Sequence, residues 1–416
     1  MFNRIKGTQD FLDLTLFNFL INQLKKHLEL YNFTEIATPI LEPLELFKRS
    51  LGTETDVVTK EMYVVKTDSD EESICLRPEA TASIVRAFVN NGVMQTPWKV
   101  YLWGPMFRHE RPQKGRYRQF HQVSIEVIGS NSVNQDVQLL KMLDRFFYEV
   151  LKLDTYGLLI NFLGCAADRA VYRKELYAYL GDKASEICPT CQIRKEKNIM
   201  RIFDCKNETC KELYKDAPKI ADYLCAECQK EWQELKDNLE HLSVSYSSSP
   251  TLVRGLDYYD KTVFEFVSTE LGAQNAFCSG GRYNQLAKII GSKEDQPSVG
   301  AAMGLERLLL MLENVKNKLI LPQLPALHVI IPLTPEQQSL ALLLADELQA
   351  RGLCIEVLLE GESVKSMMRK ANKLSAKYAL LLGPEEQAQK LVTIKNMLTG
   401  SEQKIPQKEL VTQLMQ

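Results

Sequence analysis

A chain of 416 residues with 45% hydrophobic and 25% charged residues is long enough for two or three domains with real cores and has the balance of a globular protein. Its formal net charge of −2 excludes a global basic field, so any contact with nucleic acid must come from local patches. No apolar run approaches the ~18 residues of a membrane span, and the opening "MFNRIKGTQDFLDL" lacks a signal-peptide pattern, so a cytoplasmic chain with no membrane partner is expected.

In chain order, residues 14–31 set Leu16, Phe17, Leu20, Ile21, Leu24 and Leu28 at helical spacing, which predicts a core-facing amphipathic helix. "FTEIATPILEPLELF" reads as a strand interrupted by Pro39 and Pro43, and "SICLRPEATASIVRAFVNNG" as a short strand and a helix closing near Gly92. Residues 98–128 predict two long strands around a loop at 111–117, and residues 132–152 a helix. From about 166 to 247 the texture becomes helical and rich in Lys and Glu, before strands return at "LVRGLDYYDKTVFEFVS" and "NAFCSGG". That break marks an insertion within a larger domain. A helix is expected at 305–316, then a linker with Pro322 and Pro325. Beyond it the pattern is strand, helix, strand, helix, strand. "VIIPL", "CIEVLLE" and "YALLLG" are continuous apolar runs, as in a parallel sheet buried on both faces. Thr334, Pro335 and Gln337 are helix-start signals, and Gly352 is a stop signal.

"FRHERPQKGRYRQFHQ", residues 107–122, concentrates four arginines, a lysine and a glutamate in this nearly neutral chain. Strand alternation puts Arg118, Phe120, Gln122, Ser124 and Glu126 on one face, and Gln119, His121, Val123, Ile125 and Val127 on the other. Arg108 and Glu110 share a face of the first strand. Guanidinium forks suit a polyphosphate, an aromatic ring suits a nucleobase, and Gln122 and Glu126 offer fixed hydrogen bonds to a small polar substrate. The competing reading is a hairpin whose charges face water. Neither G-x-x-x-x-G-K-[ST] nor G-x-G-x-x-G occurs, so a nucleotide here would be held by arginine side chains. Two further arginines bear on the choice. Arg254 is expected at a strand start beside Tyr258 and Tyr259. Arg307, after Gly304, falls in the first turn of a helix, where a cation opposes the dipole unless both face an anion. Its alternative is to snorkel to solvent.

These stretches, with "RPEAT", "GGRY" and "GLERLLL", resemble the histidyl branch of the class II aminoacyl-tRNA synthetases. "FRHERPQKGRYRQFHQ" resembles the family's second motif, "GLER" its third, and the region of "TPILEP" its first, which is usually part of a dimer interface. "LVRGLDYY" is the match most specific to the histidyl branch. The resemblance implies an α+β fold: a class II antiparallel sheet core flanked by helices over residues 1–320, with the helical Cys-rich insertion at about 166–247. A C-terminal α/β anticodon-binding domain over 326–416 would follow. It implies a homodimer that activates L-histidine with ATP and Mg²⁺ to histidyl-adenylate, then transfers histidine to the 3′ end of its tRNA.

By that resemblance Arg108 would hold the α-phosphate, and Arg254 would stabilise charge building there. Arg116 and Arg307 would grip the outer phosphates, Phe120 would stack under the adenine, and Glu110 would contact it. Glu79 and Thr81, with Ala80 between them and Gln122 assisting, would meet the histidine ammonium. Glu126, Tyr258 and Tyr259 would line the imidazole pocket. Two positions depart from the usual pattern: Ala80 stands where glycine is usual, and Lys6 where arginine is common.

Ten cysteines are present, and Cys75, Cys165, Cys278 and Cys354 are scattered. The other six crowd into residues 188–228. Cys188-Pro-Thr-Cys191 and Cys225-Ala-Glu-Cys228 form two C-x-x-C knuckles. Together they suit one tetrahedral structural zinc, with Cys205 and Cys210 as extra candidates. Reduced cysteines packed among helices are the alternative. In the C-terminal domain, Lys365, Arg369, Lys370 and Lys373 share one helix and could meet phosphates. Three other functions compete: a histidine-sensing regulatory paralogue of ATP phosphoribosyltransferase without catalysis, a class II synthetase for another amino acid, and a nucleic-acid-binding module without chemistry. Retention of Arg108, Arg254 and Arg307 argues against the first, and "LVRGLDYY" with Glu126 against the second. The paired tyrosines and Glu79 have no use in the third.

Overall fold

The computed structural model describes residues 2–53, 55–66, 73–181, 183, 185–272, 275–360 and 363–415. Contacts divide the chain into two compact units, Met1–Leu321 and Pro322–Gln416.

The first unit is organised by an eight-stranded sheet. Its order is Thr34–Glu35, Trp98–Phe107, Gln119–Ile128, Ser298–Gly304, Ala276–Arg282, Asp260–Val267, Gly157–Phe162 and Ser247–Ser248. Each outermost strand joins in parallel, and every pairing between them is antiparallel. The alternation expected over 119–128 is observed. Val123, Ile125 and Val127 enter the main core, which also takes Leu16, Phe17, Leu20, Ile21, Leu24 and Leu28 from the helix Thr15–Glu29. Helices Val133–Arg145 and Leu305–Val315 cover the same core. Phe120 and Gln122 therefore face the other way, into a cavity.

Two local expectations are corrected. After Pro43 the run Leu44–Leu51 is a helix, because Leu44, Leu46, Phe47 and Leu51 fall on one buried helical face. Arg254 does not start a strand, since the strand begins at Asp260. The segment before it spends its hydrogen bonds elsewhere: Asp257 donates its N–H to Leu51 O at 3.3 Å and accepts from Asn198 Nδ2 at 2.9 Å.

The insertion is built from helices Ala166–Leu180, Pro189–Lys197, Glu208–Tyr214 and Ala226–His241, with a 3₁₀ turn at Ile199–Asp204. It has a small core of its own that includes Tyr172, Leu176, Leu180, Ile199 and Ile202.

In the second unit, strands Cys354–Val357, Leu327–Pro332 and Tyr378–Leu382 are parallel neighbours, as the apolar runs predict. Leu391–Asn396 and Glu402–Pro406 extend the sheet as an antiparallel pair that those runs did not indicate. The helix here covers Gln338–Ala350, preceded by a 3₁₀ turn at Pro335–Gln337. The Thr334 hydroxyl bonds the Gln337 side chain at 2.6 Å and does not cap the backbone. Among the described residues, no helix is long and apolar enough to cross a membrane.

Candidate active site

The face of the sheet opposite the main core holds a cavity of about 440 Å³. Its floor is made of Ala276, Ser279, Ala302 and Gly304, residues with little or no side chain. Its walls carry Glu79, Thr81, Arg108, Glu110, Arg116, Phe120, Gln122, Arg254, Tyr258, Tyr259 and Arg307, which four separate stretches of chain bring to one place. The insertion adds Arg194, Arg201, Asp204 and Lys206.

The arginines are held by different means. Arg108 Nε donates to Pro78 O at 2.8 Å, and its guanidinium lies 5.3 Å from the centre of the Phe120 ring. Arg116 is ion-paired with Glu110. Arg254 pairs with Glu265 and donates to Ser279 Oγ at 2.7 Å, while its Nε, although buried, has no partner. Arg307 donates to Gly115 O at 3.1 Å and to Ala276 O, so it bridges the hairpin loop and the sheet. Among the described residues, neither Arg108 nor Arg307 has a carboxylate at ion-pair distance. Burial, then Arg116 and Arg108, pulls the Arg307 guanidinium down to about 10. Burial is the largest single effect on Arg254 too, but there Glu265, Tyr259, Tyr258 and Asp204 together outweigh it and the net direction is upward. The cavity wall thus mixes acidic and basic side chains: two of its arginines are paired with glutamates, while Arg108 and Arg307 have no carboxylate at ion-pair distance among the described residues and are the cations open to an anionic ligand.

Glu306 was given no role by the sequence reading. Its carboxylate accepts the backbone N–H of His121 at 2.8 and 3.0 Å and meets His121 Nδ1 at 2.9 Å. This bond fastens the N-terminal end of the helix Leu305–Val315 to the hairpin strand, and so fixes Arg307 beside Arg108 and Arg116.

On the amino-acid side, Glu79 Oε2 accepts from Thr81 N at 2.7 Å and Oε1 from Ala82 N at 2.9 Å. The carboxylate therefore closes the start of the helix Thr81–Asn90 while facing the cavity, and burial pushes its pKa up. Gln122 Oε1 is a buried acceptor with no partner. The rings of Tyr258 and Tyr259 lie 4.5 Å apart, and the Tyr259 ring also faces the Arg254 guanidinium at 5.7 Å.

Glu126 and Ala80 do not line the cavity. Ala80 is fully buried in the core behind the helix start. Glu126 lies one layer deeper than Thr81, accepting from Thr81 Oγ1 at 2.7 Å and from the Tyr283 hydroxyl. Burial raises its pKa to about 8, with Glu79 adding to the effect.

The zinc set expected from the two knuckles is not assembled. The structure divides those cysteines between two clusters, Cys188 and Cys191 with Cys205 and Cys210, and Cys225 and Cys228 with Cys165 and Asp168. The spacing of the knuckles misled here, because the fold gives each of them its own partners, Cys205 and Cys210 for one and Cys165 and Asp168 for the other.

Known proteins resemble the chain over its whole length. The family model described as Histidyl-tRNA synthetase matches residues 17–308, and that described as Anticodon binding domain matches residues 328–416. The chain is 40% identical over 414 residues to a histidine–tRNA ligase of Thermodesulfovibrio yellowstonii, covering 99% of this chain and 97% of that protein. It is also 40% identical over 416 residues to the one of Thermosipho melanesiensis, covering 99% and 98%. The apo histidyl-tRNA synthetase of S. aureus superposes with a TM-score of 0.82 at 32% identity, over 100% of both chains. A protein from Bacillus halodurans described as an ATP phosphoribosyltransferase regulatory subunit/histidyl-tRNA synthetase shares the fold, with a TM-score of 0.63 at 20% identity.

Proposed function

The chain belongs to the histidyl-tRNA synthetase family, and from that premise we propose which of its side chains perform the two steps of a histidine–tRNA ligase. In the first step a carboxylate oxygen of histidine attacks the α-phosphorus of ATP, the bond to the β-phosphate breaks, and pyrophosphate leaves. The nucleophile is already an anion, so no general base is needed. The barrier is repulsion between that anion and a triphosphate, and fixed cations lower it.

The observation that carries the assignment is the convergence of Arg108, Arg116, Arg254 and Arg307 on one cavity. In this reading Arg108 and Arg254 hold the α-phosphate, and the unpartnered Nε of Arg254 is a donor in reserve for charge that develops during attack. Arg116 and Arg307 hold the outer phosphates, which requires Arg116 to exchange Glu110 for the ligand. The freed Glu110 is then available to the adenine, and Phe120 offers it a ring face. Mg²⁺ would neutralise the phosphates further; Glu61 and Glu265 are carboxylates on the cavity wall of the hard-oxygen type that it takes. Histidine would direct its ammonium to Glu79 and the free Gln122 oxygen, and its ring toward Tyr258 and Tyr259. Glu126 would act on the ring pocket from behind, through Thr81 and Tyr283. In the second step a hydroxyl of the terminal ribose of tRNA displaces AMP from the adenylate.

The second unit would bind the anticodon arm. Lys365, Arg369 and Lys373 are exposed along the helix Val364–Lys373 and fit phosphate contacts. We take the working state to be a cytoplasmic homodimer. The test is histidine-dependent exchange of pyrophosphate into ATP by the full chain. Exchange with histidine and with no other standard amino acid is expected. A folded chain that catalyses none would overturn the ligase assignment in favour of a histidine-sensing regulator.

A further inference from the structure

The first thiol cluster has the dimensions of a coordination site. The sulfurs of Cys188, Cys191, Cys205 and Cys210 all lie within 4.8 Å of one another, and Cys188 Sγ is 3.7 Å from Cys205 Sγ. Four thiolates held tetrahedrally at ~2.3 Å from a zinc ion stand about 3.8 Å apart, whereas a disulfide would bring two of them to ~2.05 Å. All four are free thiols, three are buried and Cys188 is half-buried. The surroundings suit thiolates. Cys188 donates its N–H to Cys210 Sγ at 3.2 Å, and Asn207 donates its N–H to Cys205 Sγ at 3.4 Å. The buried Tyr214 hydroxyl lies against Cys191 and Cys210, where it can donate to a metal-bound sulfur.

The local fold also needs a tie. Cys188 and Cys191 bracket the start of the nine-residue helix Pro189–Lys197, and Cys210 lies within the seven-residue helix Glu208–Tyr214. Helices this short do not stand alone, and small subdomains commonly rely on metals or disulfides. We propose that Cys188, Cys191, Cys205 and Cys210 bind one structural zinc ion that fixes the insertion's wall of the active-site cavity. Asp204, on that wall, is the neighbour of Cys205, and Arg194 projects from the helix that starts after Cys188. From the same stretch Asn198 reaches Asp257 at 2.9 Å, and Arg194 reaches Asp56 at 3.8 Å. The metal site stands independently of the ligase assignment, while its effect on substrate binding rests on that assignment.

The second cluster is built differently. Asp168 accepts the backbone N–H of Cys165 at 3.1 Å and of Cys225 at 3.0 Å, which is a capping role, and Cys225 is exposed. It serves as the internal control. The full chain is purified with its thiols protected, and zinc is measured by elemental analysis. Zinc is expected in the unaltered chain and in a C225S/C228S variant, and lost from C191S and from C205S. A chain without zinc even after reconstitution, or loss of zinc only in C225S/C228S, would overturn the site.

Because C191S could unfold the insertion, cobalt-exchanged C225S/C228S provides a second readout. The visible spectrum of a tetrahedral cobalt thiolate is expected, and a six-coordinate aqueous spectrum would refute the proposal. Chelation should raise the KM for ATP or histidine several-fold, with helicity largely retained and zinc restoring the original value. An unchanged KM after proven zinc loss would sink the claim that the ion fixes the wall, and elemental analysis would still decide the site itself.

Discussion

Glu126 stands directly opposite Gly300 in the antiparallel register, and its carboxylate fills the space where a side chain at 300 would begin. A Cβ at Gly300 would lie 1.6 Å from Glu126 Oε2. The glycine thus exists for the glutamate, and the glutamate in turn steadies Thr81 and Tyr283 behind the cavity.

G300A should therefore displace Glu126. It is expected to lose about 1–3 kcal/mol of stability in urea unfolding, the usual cost of overpacking, together with most of the affinity for histidine by calorimetry. Adding E126A should return part of the stability without returning affinity, the remainder being the cost of the Ile125 carbonyl oxygen, 2.9 Å from the same Cβ position. Additive losses in the double variant would show that the two residues do not compete for one space.

Glu126 also predicts a pH effect. The folded chain holds this carboxyl at about 8, against an ordinary value of 4.5. Between those values the unfolded chain has released a proton that the folded chain keeps, so stability falls as pH rises across the interval and is level above it. E126Q removes the group. Its gain in stability over the parent chain, read from urea unfolding, should be small at pH 5 and reach its full size of a few kcal/mol at about pH 8 and above. A gain that did not vary with pH would contradict the account.

Arg307 has the opposite chemistry and a similar cost. Its guanidinium is charged at neutral pH in both states, yet the fold holds it at about 10 instead of 12.5. That difference amounts to roughly 3 kcal/mol of strain on the fold, relieved only above about pH 10. R307Q gives up that cost together with the bonds to Gly115 O and Ala276 O, so its melting temperature should change little, while its KM for ATP should rise about tenfold or more, the loss expected for a charged hydrogen bond. An unchanged KM would remove Arg307 from the phosphate site.

Arg254 is expected to act on the reacting group. R254A should slow exchange by about 10²–10³-fold, comparable to deleting a donor to a developing oxyanion, with the histidine dissociation constant changed only a few-fold. Equal losses in rate and affinity would assign it to ground-state binding instead.

The site was legible in the sequence where regular geometry carries it. Strand alternation alone separates Phe120 and Gln122 from His121 and Val123, because a pleat admits two faces only. Charge did not separate one arginine from another. Arg77 and Arg282 sit in motifs as suggestive as that of Arg254, yet both are buried structural ties. Arg77 donates to Pro105 O and Thr38 O, both at 3.1 Å. Arg282 grips Asp136 at 2.6 and 3.0 Å and donates to the carbonyls of Ser130 and Ser132. The difference lies in tertiary partners, and no local pattern encodes them. The same holds for Glu306, whose partner is 185 positions away, and for Arg194 and Asp204, which reach the cavity only through the path of the insertion. The cysteine pairing failed for a related reason: Cys205, Cys210, Cys165 and Asp168 follow no repeat that could be read along the chain.

Ala276, Ser279, Ala302 and Gly304 keep the side chains at the base of the cavity small. An inhibitor would meet little there beyond methyl groups and a hydroxyl already engaged by Arg254. Chemical discrimination would have to be sought on the insertion's wall, where Arg194, Asp204 and Lys206 line the cavity.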